Sequence, residues 1–313
     1  MSKIISLFGS ILFAFASAFP WLFSNFPKTP SGQSVDLSKF ELVWQDEFNE
    51  SEIDSSKWIF PHWITERKGG YWHRDMVSVH GGNLDISTKY ISGGLDGLPE
   101  GYYTGVIETR NKFEQCYGYY EVRCILPPSS GMWSAFWMMN EGVYNIDKSG
   151  NDGTEVDIFE SMRYKDHWWK VGDSVKSGIY YDGYGEEKQS DDIGYFFANN
   201  PYEEYNTYGL EWNKDEYIFY INGVETGRTS KGGVSDNPEY LILSCEVAGD
   251  NGIAEADRHG TGKISLPKDG SEVHFLVDYV RVYQYKDILK SVKEKKPFVS
   301  GIEAVESLRT EKH

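Results

Sequence analysis

The chain has 313 residues and a formal charge of −17, because 48 Asp and Glu residues outnumber 31 Lys and Arg residues. A field of that sign repels phosphate, so nucleic acids and anionic membrane surfaces are disfavoured as partners. Aromatic residues make up 16% of the chain, which excludes an intrinsically disordered protein or a long coiled coil. So many rings belong either to a large core or to a surface on which flat ligands stack.

The first 18 residues have the pattern of a secretory signal peptide. Lys3 gives a basic start, residues 4–15 form an apolar stretch, and the sequence Ala-Ser-Ala that follows is a small-x-small cleavage pattern. An uncleaved membrane anchor is the alternative, since no charged residue occurs between Lys3 and Lys28. We therefore expect a secreted or extracellular protein, membrane-anchored if the segment is retained, in which residues 19–39 form a linker.

Short strands are predicted throughout residues 40–286. Apolar and polar residues alternate there, as in residues 118–123 and 275–283, and Asn-Gly turn signals separate some of the runs. Because no 3.6-residue periodicity interrupts this block, it predicts a single all-β sandwich or barrel whose last strand returns to pair near the start. Residues 287–313 are rich in Lys and Glu and are interpreted as a charged tail, either amphipathic or disordered.

Three cysteines, Cys116, Cys124 and Cys245, occur in the chain. An odd number allows at most one intramolecular disulfide and leaves a thiol over. No Cys-x-x-Cys pair is present, so a structural zinc site is disfavoured.

Three acids stand close together in residues 155–160, which read Glu-Val-Asp-Ile-Phe-Glu. Side chains alternate along a strand, so Glu155 and Asp157 share one face. Strict alternation sends Glu160 to the opposite face, and a β-bulge at residues 158–159 would return it to its companions. We predict three carboxylates in a row on one short stretch of sheet.

Neighbouring carboxyl groups resist ionising together, so one is held protonated while another stays charged. Glycoside hydrolysis needs this division, and carboxyls about 5–5.5 Å apart give a covalent intermediate and retention. Glu155 and Glu160 suit that short separation. From the acids alone, a solvated strand edge, a row of calcium ligands or an ion pair of Glu160 with Arg163 remain alternatives. The apolar Val156 and residues 158–159 favour an inner strand whose acids face a cleft.

At these residues the chain resembles glycoside hydrolase family 16, the laminarinase, lichenase and agarase family of β-jelly-roll enzymes. The bulged motif Glu-x-Asp-x-x-Glu of that family matches residues 155–160. Other family segments follow in order over about residues 40–285, namely 42–48 with Trp58, 82–84, 112–113, 117–123, 131–137, 208–212 and 277–283. The resemblance implies an all-β fold, a β-jelly-roll sandwich of two curved antiparallel sheets with an open concave cleft.

The same resemblance implies roles for the three acids. Glu155 corresponds to the nucleophile, Glu160 to the general acid/base, and Asp157 to the residue that orients and electrostatically tunes Glu155. It also implies a structural calcium on the convex face, where Glu47, Gly82 and Asp278 fall in matching segments and main-chain oxygens supply much of the site. No cofactor is expected for catalysis.

Aromatic residues near the acids are candidates for binding sugar rings. Alternation places Trp133 and Trp137 on one face; the resemblance favours a subsite wall for Trp133, whereas Trp137 fits a subsite or the core equally. Trp168 and Trp169 are adjacent and cannot both be buried easily, so one is expected to be an exposed stacking surface. Tyr180 is a weaker candidate, together with Trp63, Trp72 and Tyr181.

Two departures from the family pattern bear on specificity. Tyr180 stands where many members carry a histidine on the strand after the active-site strand, and Asn206 stands where a histidine commonly precedes Thr-Tyr-Gly. The hydrolytic residues are intact, but the specificity for glucan is left open.

We expect a monomeric, secreted, retaining endo-glycoside hydrolase that cuts internal β-1,3 or mixed β-1,3/1,4 linkages of a neutral glucan. The acidic net charge favours a neutral polysaccharide, although Arg163, Lys165 and Lys170 beside the site offset it locally. The alternatives are a β-galactan or agar-type hydrolase on the same fold and a catalytically silent carbohydrate-recognition protein. Transglycosylation shares the covalent intermediate and also stays open.

Overall fold

The computed structural model describes residues 26–61, 65–162, 164, 171–256 and 260–295. The predicted signal peptide, the start of the linker and most of the charged tail lie outside these residues. Within the described ranges, no helix is long and apolar enough to cross a membrane.

The described chain is built almost entirely from strands, with four short 3-10 helices and one α-helix, α1 (Lys286–Lys295). The strands are β1 (Phe40–Asp46), β2 (Glu66–Arg67), β3 (Gly70–Trp72), β4 (Val77–His80), β5 (Asn83–Ile91), β6 (Gly101–Thr104), β7 (Val106–Glu108), β8 (Glu114–Gln115), β9 (Gly118–Ile125), β10 (Met132–Met139), β11 (Glu155–Ser161), β12 (Ser174–Tyr181), β13 (Gln189–Phe197), β14 (Asn206–Trp212), β15 (Tyr217–Ile221), β16 (Val224–Thr229), β17 (Glu239–Val247), β18 (Gly249–Asp250), β19 (Ile253–Ala254) and β20 (Glu272–Tyr285).

Two sheets form a sandwich, which confirms the predicted fold class. The larger sheet has the order β16-β15-β14-β9-β20-β5-β6-β3-β2, with β1 beside β20 and β4 beside β5. The smaller sheet has the order β13-β12-β11-β10-β17-β7, with β8 beside β17. The predicted return of the last strand is confirmed, because Phe40 of β1 pairs with Tyr285 of β20.

One pairing differs from the prediction of purely antiparallel sheets. Strand β3 runs parallel to β6, because the chain crosses β4 and β5 before it returns to the edge beside β3. The predicted Asn-Gly turn joins β15 to β16. Asn222 and Gly223 have φ values of 49° and 73° there, and two successive left-handed residues are what a tight two-residue hairpin requires.

The core lies between the facing sides of the two sheets. From β11, Ile158 and Phe159 point into it, and the Phe159 ring centroid lies 4.3 Å from that of Tyr208 and 6.2 Å from that of Phe275. Burying an apolar side chain of this size contributes roughly 1.5–3 kcal/mol. The three cysteines are buried in this core and are not joined in a disulfide.

The tail begins as a helix. Strand β20 runs directly into α1, whose Leu289 is 4% exposed. The apolar side of the first turns therefore packs on the sandwich, as expected for an amphipathic extension.

A buried carboxylate on the outer side of the larger sheet couples stability to pH. Asp85 is 3% exposed and lies 2.8 Å from Nε2 of His80 and 2.9 Å from Nδ1 of His274. The hydrogen bond with Asp85 raises the pKa of His274, opposed by partial burial, with smaller effects from Glu272 and Lys89. Protonated His274 is thus favoured in the folded state.

His274→Gln should lower the melting temperature more at pH 5.5 than at pH 8.5. A histidine whose folded pKa is raised stabilises fully below its unfolded pKa of about 6.5 and loses that contribution as the pH rises through the folded value. Thermal melts of both proteins across this range measure the difference. Equal destabilisation at both pH values would contradict the assigned role of charge.

Candidate active site

A β-bulge in β11 brings the three predicted acids onto one face. The pairing of β11 with β10 shifts register at Trp137, and the pairing with β12 shifts between Asp157 and Glu160. Ile158 and Phe159 consequently both enter the core. This confirms the predicted bulge. Because of it, Glu160, Asp157 and Glu155 lie together on the side of the sheet that faces away from the core.

The acids are deeply placed, since Asp157 is 4% exposed and Glu160 is 8% exposed. Burial, which disfavours the charged form, is the largest cause raising the pKa of all three, and it brings that of Glu155 to about 7. The pKa of Asp157 is raised well above its usual range, because the charges of Glu160 and Glu155 add to burial. No described residue donates to Oδ2 of Asp157. A proton on Asp157 turns its contact with Glu160 into a hydrogen bond.

Cationic side chains offset part of this charge. Lys176 of β12 is the cross-strand neighbour of Glu160, and its charge lowers the pKa of both Glu160 and Asp157. The ammonium of Lys176 also lies 2.8 Å from Asp192 and 3.0 Å from the Tyr180 hydroxyl. Strand β12 therefore supplies the counter-charge for the acid row.

A second ionic group lies on the other side of β10. Glu246 of β17 pairs across from Trp133 and is 4% exposed. Its carboxylate accepts a 2.6 Å hydrogen bond from Arg67 and lies 3.6 Å from Nζ of Lys68. The charge of Arg67 also lowers the pKa of Glu155. Two cations thus face one buried carboxylate beside the acids.

The predicted aromatic residues fall into different surroundings. The indole N–H of Trp133 donates to Glu160 over 2.9 Å, and Nζ of Lys68 lies 3.8 Å from the centroid of the Trp133 ring. Trp137 donates to Ser244 over 3.1 Å and packs against a small core cluster that includes Trp72 and Tyr240. Trp133 is therefore tied to the acid row more closely than Trp137.

Tyr180 is half-buried and lies across from Glu155 in the β11–β12 ladder. Its ring is flanked by Lys188, whose Nζ lies 4.9 Å from the ring centroid. The predicted stacking residues Trp168 and Trp169 lie outside the described residues, as do Trp63, Arg163, Lys165 and Lys170.

The residues assigned to calcium do not converge as side-chain ligands. Glu47 accepts hydrogen bonds of 2.8 and 2.9 Å from Arg281, and Asp278 forms an ion pair with Arg123. Gly82 lies in the β4–β5 turn. Among the described residues, no three His, Cys, Asp or Glu side chains are grouped to hold a metal. These side chains do not fit a carboxylate-rich site; a calcium held by main-chain oxygens stays a prediction.

Several polar residues of the site were not among the predicted ones, namely Arg67, Lys68, Lys176, Tyr184 and Glu246. The hydroxyl of Tyr184 donates to Oε2 of Glu155 over 2.5 Å. The sequence contains a signal for two of them. Lys176 is four residues before Tyr180, so alternation places both on one face of the strand, and Glu246 is an acid near the end of a largely apolar strand. Arg67 belongs to the two-residue strand β2, and Lys68 and Tyr184 lie in turns; segments this short have no periodicity that indicates direction.

A cavity of about 600 Å³ lies beyond the Trp137 cluster. Its wall includes Trp72, Phe60 and Trp58, and Arg74 and Lys112 lie at its margin. Trp72 belongs to the cluster against which Trp137 packs. None of the three acids lines this cavity.

Two longer known proteins are similar to this chain in sequence. The chain is 28% identical over 271 residues to a keratan-sulfate endo-1,4-beta-galactosidase of Sphingobacterium multivorum, covering 82% of this chain and 58% of that protein. It is 26% identical over 275 residues to the endo-1,3-1,4-beta-glycanase ExsH of Rhizobium meliloti strain 1021, covering 80% and 53%. The chain thus spans little more than half the length of these two relatives.

Structure and family comparisons agree with the sequence matches. The solved structure of SCLam, described as a non-specific endo-beta-1,3(4)-glucanase from family GH16, has 25% identity and a TM-score of 0.63, covering 83% of this chain and 97% of SCLam. A family model described as Beta-porphyranase A-D, GH16 domain, matches residues 42–285. That match includes the bulged strand and its three acids, and the chain therefore belongs to glycoside hydrolase family 16.

Proposed function

We propose that the chain is a retaining endo-glycoside hydrolase that cuts internal β-linkages of a polysaccharide. The observation that carries this proposal is the bulge of β11, which gathers Glu155, Asp157 and Glu160 on one face among groups that raise their pKa values. Glu155 serves as nucleophile, Glu160 as general acid/base, and Asp157 holds a proton beside Glu160. A surface of solvated acids would show no such burial.

The reaction has two balanced steps. In the first, an oxygen of Glu155 bonds to the anomeric carbon, the bond from that carbon to the leaving sugar breaks, and the leaving oxygen takes the proton of Glu160. In the second, a water oxygen bonds to the anomeric carbon, the ester bond to Glu155 breaks, and Glu160 takes a proton from the water. The Trp133 N–H steadies Glu160 in both steps.

The first substrate candidate is a neutral β-1,3 or β-1,3/1,4-glucan. It is supported by the names of two relatives, the endo-1,3-1,4-beta-glycanase and the endo-beta-1,3(4)-glucanase. Trp133, Trp137 and Tyr180 lie around the acids where sugar rings would pack. The signal-like residues 1–18 support export, which places such an enzyme with extracellular polysaccharide.

The second candidate is a β-galactan of the agar type. The matching family model is described as a beta-porphyranase, and one relative is named as a keratan-sulfate galactosidase. Arg67 and Lys68 face a single carboxylate, which leaves positive charge beside the acids for an anionic sugar substituent. Tyr180 and Asn206, where the family often has histidines, also separate this chain from typical glucanases.

Glu155→Gln should abolish turnover, and Glu160→Gln should slow it about 10²–10⁴-fold except on substrates with good leaving groups. Neither change removes a side chain from the core, so thermal melts should stay near those of the unchanged protein. Release of reducing ends measures turnover, with Glu272→Gln on the outer side of the larger sheet as the matched control. Undiminished cleavage by either active-site variant would refute the assignment.

Asp157→Asn should raise the melting temperature at pH 8 more than at pH 4, while turnover falls. When the pKa of an acid is higher in the folded than in the unfolded state, the folded state is destabilised increasingly as the pH rises above the unfolded pKa. An amide does not ionise, so it avoids this loss of stability. Melts at the two pH values measure the effect. A gain that does not depend on pH would show that packing, and not charge, limits stability here.

A panel of laminarin, mixed-linkage glucan, agarose, porphyran and keratan sulfate should separate the substrate candidates. Oligosaccharides released from the first two support the glucanase, and release from the last three supports the galactanase. The anomeric configuration of early products, followed by NMR, should show retention. Tight binding to one polymer with no release from any would support the carbohydrate-recognition protein instead.

A further inference from the structure

The turn after β12 is built in a way that fixes Tyr184 over the acid row. Asp182 and Gly183 have φ values of 60° and 72°, so two successive left-handed residues begin the connection from β12 to β13. Oδ1 of Asp182 accepts hydrogen bonds from the main-chain N–H groups of Asp147 and Lys148, at 3.0 and 2.9 Å. The N–H of Gly183 donates to the carbonyl of Val143 over 2.6 Å. The turn is thus fastened to residues 143–148 by the side chain of Asp182 and the main chain of Gly183.

Tyr184 reaches from this turn to the nucleophile. Its hydroxyl donates to Oε2 of Glu155 over 2.5 Å, and its ring meets the ring of Tyr144 edge to face at a centroid distance of 5.6 Å. Tyr184 is 47% exposed and Tyr144 is 58% exposed, so neither ring is held by the core. A half-exposed tyrosine whose turn is fastened at three main-chain positions is held for its hydroxyl and not for hydrophobic burial.

We propose that Tyr184 is a positioning residue for the retaining reaction, whose hydroxyl holds Oε2 of Glu155 and leaves Oε1 to attack the anomeric carbon. The proposal rests on the function proposed above. It assigns different tasks to the two oxygens of one carboxylate. The oxygen that reacts is the one without the tyrosine.

The hydrogen bond has opposite consequences in the two steps. As Oε1 bonds to the anomeric carbon, Oε2 becomes the carbonyl oxygen of an ester, which is a weaker acceptor than a carboxylate oxygen. When water later displaces Glu155, negative charge returns to that carboxyl and the bond from Tyr184 strengthens. An interaction that strengthens towards the transition state lowers the barrier. Tyr184 therefore assists the second step, release of the sugar from Glu155, more than the first.

The same bond favours the ionised form of Glu155. Burial raises the pKa of Glu155 to about 7, and the hydrogen bond from Tyr184 is the largest opposing influence, ahead of the charge of Arg67. Glu160 on the same strand and Glu246 on β17 raise it further. Further ionisable groups that interact with these acids are Asp157 on β11, Lys176 and Tyr180 on β12, and Glu239 on β17. Without the tyrosine hydroxyl, the balance shifts towards protonated, non-nucleophilic Glu155.

Tyr184→Phe tests the proposal, because it removes the hydroxyl and keeps the ring that contacts Tyr144. With an aryl glycoside of the oligosaccharide that the enzyme releases, kcat should fall roughly tenfold and KM should fall with it, because the glycosyl-enzyme accumulates. A burst of the aryl alcohol should precede the steady state. The acid limb of the kcat/KM profile should move to higher pH.

A measurement that does not depend on turnover tests the hydrogen bond between Tyr184 and Glu155 directly. Glutamate labelled with ¹³C at the carboxyl carbon allows Glu155 to be titrated by NMR, with Glu155→Gln identifying its signal. The Glu155 signal should titrate at higher pH in Tyr184→Phe than in the unchanged protein. The matched control is Tyr279→Phe, which removes a 2.8 Å bond from a tyrosine to Glu121 on the outer side of the larger sheet.

The outcomes separate this proposal from the proposed function. An unchanged Glu155 titration, or a fall in kcat with unchanged KM and pH profile, overturns the role of Tyr184 even if Glu155→Gln is inactive. If the protein without substitutions cleaves no substrate, the proposed function is overturned. The NMR titration still tests the hydrogen bond in that case. Gly183→Ala strains a left-handed residue of the turn, so it should move the titration in the same direction as Tyr184→Phe.

Discussion

The candidate site depends on one backbone irregularity, the bulge of β11. A regular strand would send Glu160 into the core beside Ile158 and would turn Phe159 towards the acids. The bulge instead lets two consecutive apolar residues face the core. Three carboxylates can then share one face within six residues, at the expense of two ladder positions. The geometry of the site is therefore set by the backbone of one strand before any neighbouring loop is considered.

Holding three acids together requires compensation from the strands on both sides. Lys176 on β12 provides positive charge on one side, and Arg67 and Lys68 with Glu246 provide it on the other. Each cation is itself paired with an acid outside the row, at Asp192 or Glu246. The row is thus embedded in an alternating ionic network, in which protons and charges are distributed over several strands. Burial favours the protonated forms of the acids, whereas these cations favour the charged forms.

The strand pattern, the bulge and the acid row could be predicted from sequence because each depends on residues close in the chain. Glu155, Asp157 and Glu160 lie within one strand, and alternation with one extra residue fixes their direction. Tyr184 is 29 positions beyond Glu155, and its place depends on a turn fastened to residues 143–148. Arg67 and Lys68 depend on where β2 and β3 join the larger sheet. Such contacts between distant turns have no local periodicity, so only the structure shows them.

The order of the larger sheet also bears on how the protein is made. Strand β20 is the last strand of the sandwich, yet it lies between β9 and β5 and also pairs with β1. Until residues 272–285 leave the ribosome, the larger sheet lacks its middle strand, and the apolar faces of β5 and β9 have no permanent neighbour. Long-range pairing of this kind slows folding and leaves hydrophobic surface and strand edges exposed in the meantime. Assembly of the sandwich is therefore a late event, completed only after nearly the entire domain has been synthesised.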